Sequence, residues 1–132
     1  MLRQVLFAKI HRAVVTACKP DYIGSVTIDP ALLEATGMVV NEKILAADCE
    51  TGERFESYIF QGERGSGVIE VNGAAARCTA VGHHLLIMSF AAVTQEELKT
   101  HRPKVVVCDE RNRVAQLLRY DPSPVKATGA AR

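Results

Sequence analysis

The chain predicts a mainly β protein, a small closed or nearly closed β-barrel with two short helices, on three observations. Short runs alternating apolar and polar residues recur along it, separated by Gly, Asn, Asp and Pro clusters that read as turns. Only two stretches carry a helix start signal. Finally, 132 residues at 48% hydrophobic content can build one core, and a second domain is not expected.

Residues 5–17 read as the first strand, with Val5, Phe7, Lys9, His11, Ala13 and Val15 on one face and Leu6, Ala8, Ile10, Arg12 and Val14 on the other. Neither face is purely polar, which predicts burial on both sides. Lys9 and His11 lie two apart and so share a side. After Lys19-Pro20-Asp21 the chain turns into a strand over 22–29, broken by Gly24 and followed at once by Ser25. A glycine inside a strand marks a bulge, a bend or a close backbone approach. Asp29 as N-cap, Pro30 in the first helical position and Gly37 as terminator bracket a helix over 30–36.

Strands over 43–49 and 54–60 flank a hairpin-type turn at Glu50-Thr51-Gly52. On the second of them Arg54, Glu56, Tyr58 and Phe60 share a face and Ser57 points away. Residues 61–67 read as a glycine-rich loop, 68–71 as a strand, and Asn72-Gly73-Ala74-Ala75-Ala76 as a turn of small residues. A long apolar strand covers 85–93. Thr94-Gln95-Glu96-Glu97 is a capping-box pattern for a helix ending near Thr100, and 104–109 with 114–118 form a last hairpin. The composition then shifts to Pro, Ser, Ala and Gly, so one domain over 1–120 is expected, with a flexible tail over 121–132.

A net charge of +1, with Lys and Arg scattered, leaves no electrostatic footprint for nucleic acid or an anionic membrane. No segment approaches the ~20 apolar residues that span a bilayer. Arg3 and Lys9 lie too close together for a secretory apolar core to fit between them, so a cytoplasmic location is expected. Cys18, Cys49, Cys78 and Cys108 have no paired or zinc-ligand spacing and read as small buried hydrophobes in a reducing compartment. His83 and His84, adjacent on a strand, point to opposite faces, so no metal is expected there.

Five blocks remain: Lys9-Ile10-His11-Arg12, Tyr22-Ile23-Gly24-Ser25, Arg54 with Ser57-Tyr58, Glu63-Arg64-Gly65-Ser66, and Asn72-Gly73-Ala74-Ala75-Ala76. In order and spacing they closely resemble the self-processing, pyruvoyl-dependent aspartate decarboxylase family, over all but the C-terminal tail. The resemblance implies a six-stranded double-psi β-barrel and a homotetramer with active sites between neighbouring subunits. It also implies cleavage between Gly24 and Ser25 into a 1–24 chain and a 25–132 chain.

The implied chemistry starts with Ser25 Oγ attacking the Gly24 carbonyl, so that amide becomes ester. The ester loses its carboxylate by β-elimination, and the dehydroalanine left behind hydrolyses to a pyruvoyl group. Glycine leaves the approach open and can occupy strained dihedrals. Ser57 is the hydroxyl carried over to stabilise the oxyanion at Gly24. The ketone would form a Schiff base with L-aspartate and take up the electron pair as CO2 leaves, giving β-alanine for pantothenate and coenzyme A. Arg54 is the expected anchor for the retained carboxylate, with Lys9 as a second cation. Asn72, Gly73, Ala74, Ala75 and Ser57 would contact substrate. Tyr58 would return the proton, and Tyr22 and His11 would support the site. Ser57 stands where the family usually has threonine, and Asp21 and Arg77 where it often has histidine; these departures leave pocket details open, as the resemblance leaves open an accessory maturation protein.

Two other readings use the same residues. One is a non-catalytic barrel that binds a small acidic ligand through Lys9 and Arg54. The other is cleavage to a free N-terminal serine, which would give an amidohydrolase.

Overall fold

The computed structural model describes residues 1–121, so the expected tail lies, from residue 122 on, outside the described residues. Nine strands, two α-helices and one 3-10 helix follow one another along the described residues. They are β1 (Arg3–Val14), β2 (Ala17–Lys19), β3 (Ser25–Ile28), α1 (Pro30–Thr36), β4 (Lys43–Asp48), β5 (Arg54–Gln61), β6 (Ile69–Asn72), the 3-10 helix (Gly73–Cys78), β7 (His84–Val93), α2 (Gln95–Leu98), β8 (Lys104–Cys108) and β9 (Val114–Arg119). The protein is mainly β with short helices, as expected. Nine strands rather than six are present among the described residues, because β2 and the β8–β9 hairpin hydrogen-bond into the same sheet.

The strand order is β2-β6-β3-β5-β4-β7-β1-β8-β9. Only Val15 and Thr16 separate β1 from β2 in sequence, yet the two strands sit far apart in that order. The sheet therefore curls until its β2–β6 end reaches the end of β1. Val15 and Thr16 make the joint: their N–H groups donate to His83 O at 2.9 Å and Ile69 O at 2.8 Å. The Thr16 hydroxyl adds a reciprocal pair with the Ile69 backbone. Inside the curl lie Ile10, Val26, Ile28, Ile44, Ile59, Ile69, Val71, Leu85 and Ile87, all buried.

Local signals fix both helices. Asp29 Oδ1 accepts the Ala31 N–H at 2.9 Å, Pro30 opens α1, and Gly37 closes it at φ 82°, giving the expected span. Asp29 also accepts from the N–H groups of Gly65 and Gly67, so one carboxylate caps the helix and shapes the 62–67 loop. The capping box of α2 forms through Thr94 and Glu97, but the helix stops at Leu98, short of the expected Thr100.

The first strand departs from its expected alternation. Register shifts fall between Leu6 and Ala8 and between Ile10 and Ala13, with Arg12 at φ 62°. A bulge adds one residue to one strand and so reverses the parity of every later side chain. Ala8 and Ile10 are buried before the second bulge, Ala13 and Val15 after it. The expected face joining Lys9 and His11 to Ala13 and Val15 is thus split, with Lys9 and His11 only half-buried. Three further expectations change: the 22–29 strand begins only at Ser25, the turn after Asn72 is a 3-10 helix, and of the four cysteines only Cys108 is buried, Cys49 being exposed.

Asp48, 1% exposed, organises the β4–β5 turn. It accepts from the N–H groups of Glu50 (2.7 Å) and Thr51 (3.1 Å), from Thr79 Oγ1 (2.7 Å) and from His83 Nδ1 (2.7 Å). Burial pushes its carboxyl up, but these bonds, His83's foremost, outweigh burial and bring the pKa down to about 2. The neighbouring His84 serves different carboxylates, Glu50 and Glu110, so the two imidazoles do not converge. Because the folded pKa of Asp48 is depressed, its contribution is complete above the unfolded pKa of about 4 and is lost as pH falls towards 2, on the order of 2 kcal/mol. Urea unfolding at about pH 5 and about pH 2.5 should therefore show the wild type losing more stability than Asp48→Asn. Parallel losses would remove Asp48 from this role.

Candidate active site

Three neighbouring strands divide their side chains between core and cavity. Ser25 and Thr27 of β3 register against Asn72 and Glu70 of β6. Thr27 registers against Phe60 of β5, which brings Tyr58 level with Ser25. The alternate residues, Val26, Ile28, Val71, Ile69 and Ile59, are fully buried in the core. The other face floors a cavity of about 450 Å³ whose rim is the 21–24 segment. Ser25 is 4% exposed, and its Oγ accepts from Asn72 Nδ2 at 3.3 Å. The same nitrogen reaches Thr27 Oγ1 at 3.3 Å, while Asn72 Oδ1, buried, has no partner. A buried amide oxygen without a donor carries an unrecovered desolvation cost and is ready for a ligand N–H or O–H.

The path of the chain into this site is set by Asn72. Lys19 at the end of β2 and Ser25 at the start of β3 both register against it, from opposite sides of β6. Residues 20–24 must therefore cross over the end of β6, spanning two strand spacings of roughly 4.8 Å each. What lies under the crossing is Gly73, at φ 77°. A Cβ there would sit 2.6 Å from Gly24 Cα and 3.0 Å from Gly24 N. The strained backbone was expected at Gly24 itself. Gly24 is outside the left-handed region, and a Cβ on it would meet only Asn72 O at 3.7 Å. The glycine that the geometry demands is the one underneath.

The expected site residues fall into separate groups on one chain. Gly24, Ser25, Tyr22, Tyr58 and Asn72 share the cavity, with Gly73 behind it. Ser57 does not line it: the β4–β5 register runs unbroken, so Ser57 lies on the face of β5 that carries buried Phe55 and Ile59. Ala74 and Ala75 lie in the 3-10 helix, and Ala75 packs on the core. Arg54 is exposed, on the same face of β5 as Tyr58 but four residues away, about 13 Å along the strand. Lys9 and His11 are on β1, beyond β4 and β7. Register carries their face across the sheet, Lys9 to Met88 to Leu45 to Glu56, so Lys9 and Arg54 share one side. Burial, then the charges of Lys9 and Arg12, hold the His11 imidazole below its usual pKa.

Thr27, Phe60, Glu70 and Ile23 also line the cavity and were not singled out in the sequence. Three of them sit two residues from an expected one, Thr27 from Ser25, Phe60 from Tyr58 and Glu70 from Asn72, so strand alternation carried the signal. Tyr22, Ile23 and Phe60 are 60%, 88% and 53% exposed, an apolar rim around the opening.

A buried serine hydroxyl thus lies at the floor of an open cavity, delivered there by a crowded backbone crossing. The comparisons with known proteins give the kind of enzyme. A family model described as aspartate decarboxylase matches residues 1–115. An aspartate 1-decarboxylase of Bacillus licheniformis is 50% identical over 123 residues, 93% of this chain and 97% of that protein. Aspartate 1-decarboxylases of Caldicellulosiruptor saccharolyticus (50% over 117 residues, 89% and 91%) and Listeria monocytogenes (51% over 118 residues, 89% and 93%) are similarly close. The chain belongs to the aspartate decarboxylase family, and it is a decarboxylase.

Proposed function

We propose that the protein converts L-aspartate to β-alanine and CO2 through a pyruvoyl group made from Ser25. The observation that carries this reading is Ser25 itself, buried at the cavity floor immediately after a backbone crossing pressed onto Gly73. Ser25 Oγ attacks the Gly24 carbonyl carbon, the C–N bond breaks, and the hydroxyl proton passes to the released amine. Elimination frees the 1–24 chain as a carboxylate, and water removes the Ser25 nitrogen as ammonia to leave the ketone. The residues present fit such a group: Asn72 Nδ2, which donates to the Ser25 hydroxyl, can donate to the ketone oxygen in its place, and the unused Asn72 Oδ1 is left for a donor on the substrate. The ketone would supply the electron sink for the pair released with CO2.

The chain's own residues then bind and protonate. Tyr58, on the same face and level as Ser25, is the acid that returns a proton to Cα. Arg54 and Lys9 are the cations for the retained carboxylate. Neither lines the Ser25 cavity of its own chain, so the assembly must bring them from a neighbouring copy. A homotetramer built on the family's double-psi barrel would do so, and the exposed Tyr22, Ile23 and Phe60 would be covered by it. His11, beside Lys9, and the Gly73–Ala75 backbone are assigned to the same pocket. Ser57, which faces away from the cavity of its own chain, is assigned to the Gly24 carbonyl of a neighbouring copy. The product would feed pantothenate synthesis in the cytoplasm, with or without an accessory protein to speed maturation; no helix of the described residues is long and apolar enough to cross a membrane.

Tyr58→Phe tests the acid. Processing should proceed and the ketone should still trap an added amine, while β-alanine formation drops by about 10²- to 10⁴-fold. Full turnover by this variant would assign the proton to another group. Edman degradation of the 25–132 chain separates the ketone, which is blocked, from a free serine.

A further inference from the structure

The crossover that presents the Gly24–Ser25 bond is also held by charges that the proposed reaction does not use. Lys19 Nζ lies 3.0 Å from Glu70 Oε1, and the Glu70 side chain is only 16% exposed. Glu70 registers against Ala17, so Lys19, two residues on, projects to the same side and the bridge runs diagonally across β2 and β6. The same ammonium sits 4.9 Å over the Tyr22 ring, and the Tyr22 N–H donates to Lys19 O at 3.1 Å. Main chain and side chain of Lys19 therefore both fix Tyr22, while Glu70 fixes Lys19. The hydrogen bond to Glu70 raises the Lys19 pKa further above its ordinary value. Glu70 lines the Ser25 cavity, where a carboxylate without a counter-charge would be costly.

We propose that Lys19 and Glu70 are a positioning pair that seats the 20–24 crossover on Gly73 and so sets the rate at which the Gly24–Ser25 peptide is processed. The proposal rests on the self-processing reading above. After the cut β2 belongs to the 1–24 chain and β6 to the 25–132 chain, so the pair then ties the two chains together beside Ser25.

The test follows appearance of the 25–132 mass from freshly purified full-length protein. Glu70→Gln and Lys19→Met should each slow processing about three- to tenfold, and the double variant Lys19→Met/Glu70→Gln should be no slower than the slower of the two. Thermal midpoints of the single variants should stay within a few degrees of wild type, which separates a misplaced crossover from general loss of stability. Added salt should slow the wild type and leave the single variants unchanged. Single variants that process at the wild-type rate, or a double variant whose losses simply multiply, would overturn the pair's role while leaving the self-processing reading intact. A wild-type chain that never loses residues 1–24 would overturn that reading, and this proposal with it.

Discussion

Ser25→Ala should leave a folded, full-length chain that neither sheds residues 1–24 nor makes β-alanine. The loss follows from chemistry: without Oγ nothing attacks the Gly24 carbonyl, no ketone forms, and turnover should fall by on the order of 10⁴-fold or more, as removal of a nucleophile does elsewhere. The fold should survive. Ser25 Oγ accepts one bond, at 3.3 Å from Asn72 Nδ2, and that nitrogen keeps Thr27 Oγ1. Removing such a bond costs about 1 kcal/mol. Intact mass spectrometry, a melting curve and a β-alanine assay on one preparation read all three. A Ser25→Ala chain that still splits after residue 24 would end the proposed mechanism.

Gly73→Ala should be the added methyl group most damaging to processing. Its Cβ meets backbone, Gly24 Cα at 2.6 Å, and backbone cannot rotate away as a flexible side-chain end would. Strain at φ 77° adds to the overpacking, and together they should cost about 2–4 kcal/mol. The crossing must lift, and a displacement of that order at a reacting bond is worth about 100-fold in rate. Gly82→Ala is the control, since Gly82 also has a positive φ, 90°, but nothing within 4 Å of a built Cβ. It should share the dihedral cost and process normally. A Gly73→Ala protein that processes at the wild-type rate would show that the crossing does not govern the bond.

Local patterns were legible wherever their cause is local. The α1 helix follows from Asp29, Pro30 and Gly37 because caps act within one turn of chain. The β5 face holding Arg54, Tyr58 and Phe60 follows from a period of two that no bulge interrupts. The β1 face failed at Arg12, where the extra residue is imposed by pairing with β7 and has no residue signature such as glycine. The role given to Gly24 passed to Gly73 because a clash between the two depends on where residues nearly 50 apart in sequence meet.

The sequence by itself determined the α1 caps, the β5 face and the set of candidate side chains, since each depends on residues within a few positions. Only the tertiary structure decided that β6 lies between β2 and β3, that the chain must climb over Gly73 to join them, and that Ser25 lands beside Asn72 and Tyr58 while Arg54 and Lys9 stand elsewhere. Strand pairing is a long-range choice: the backbone groups that make it are the same in every residue, and the winning register is the one in which all the apolar faces are buried at once.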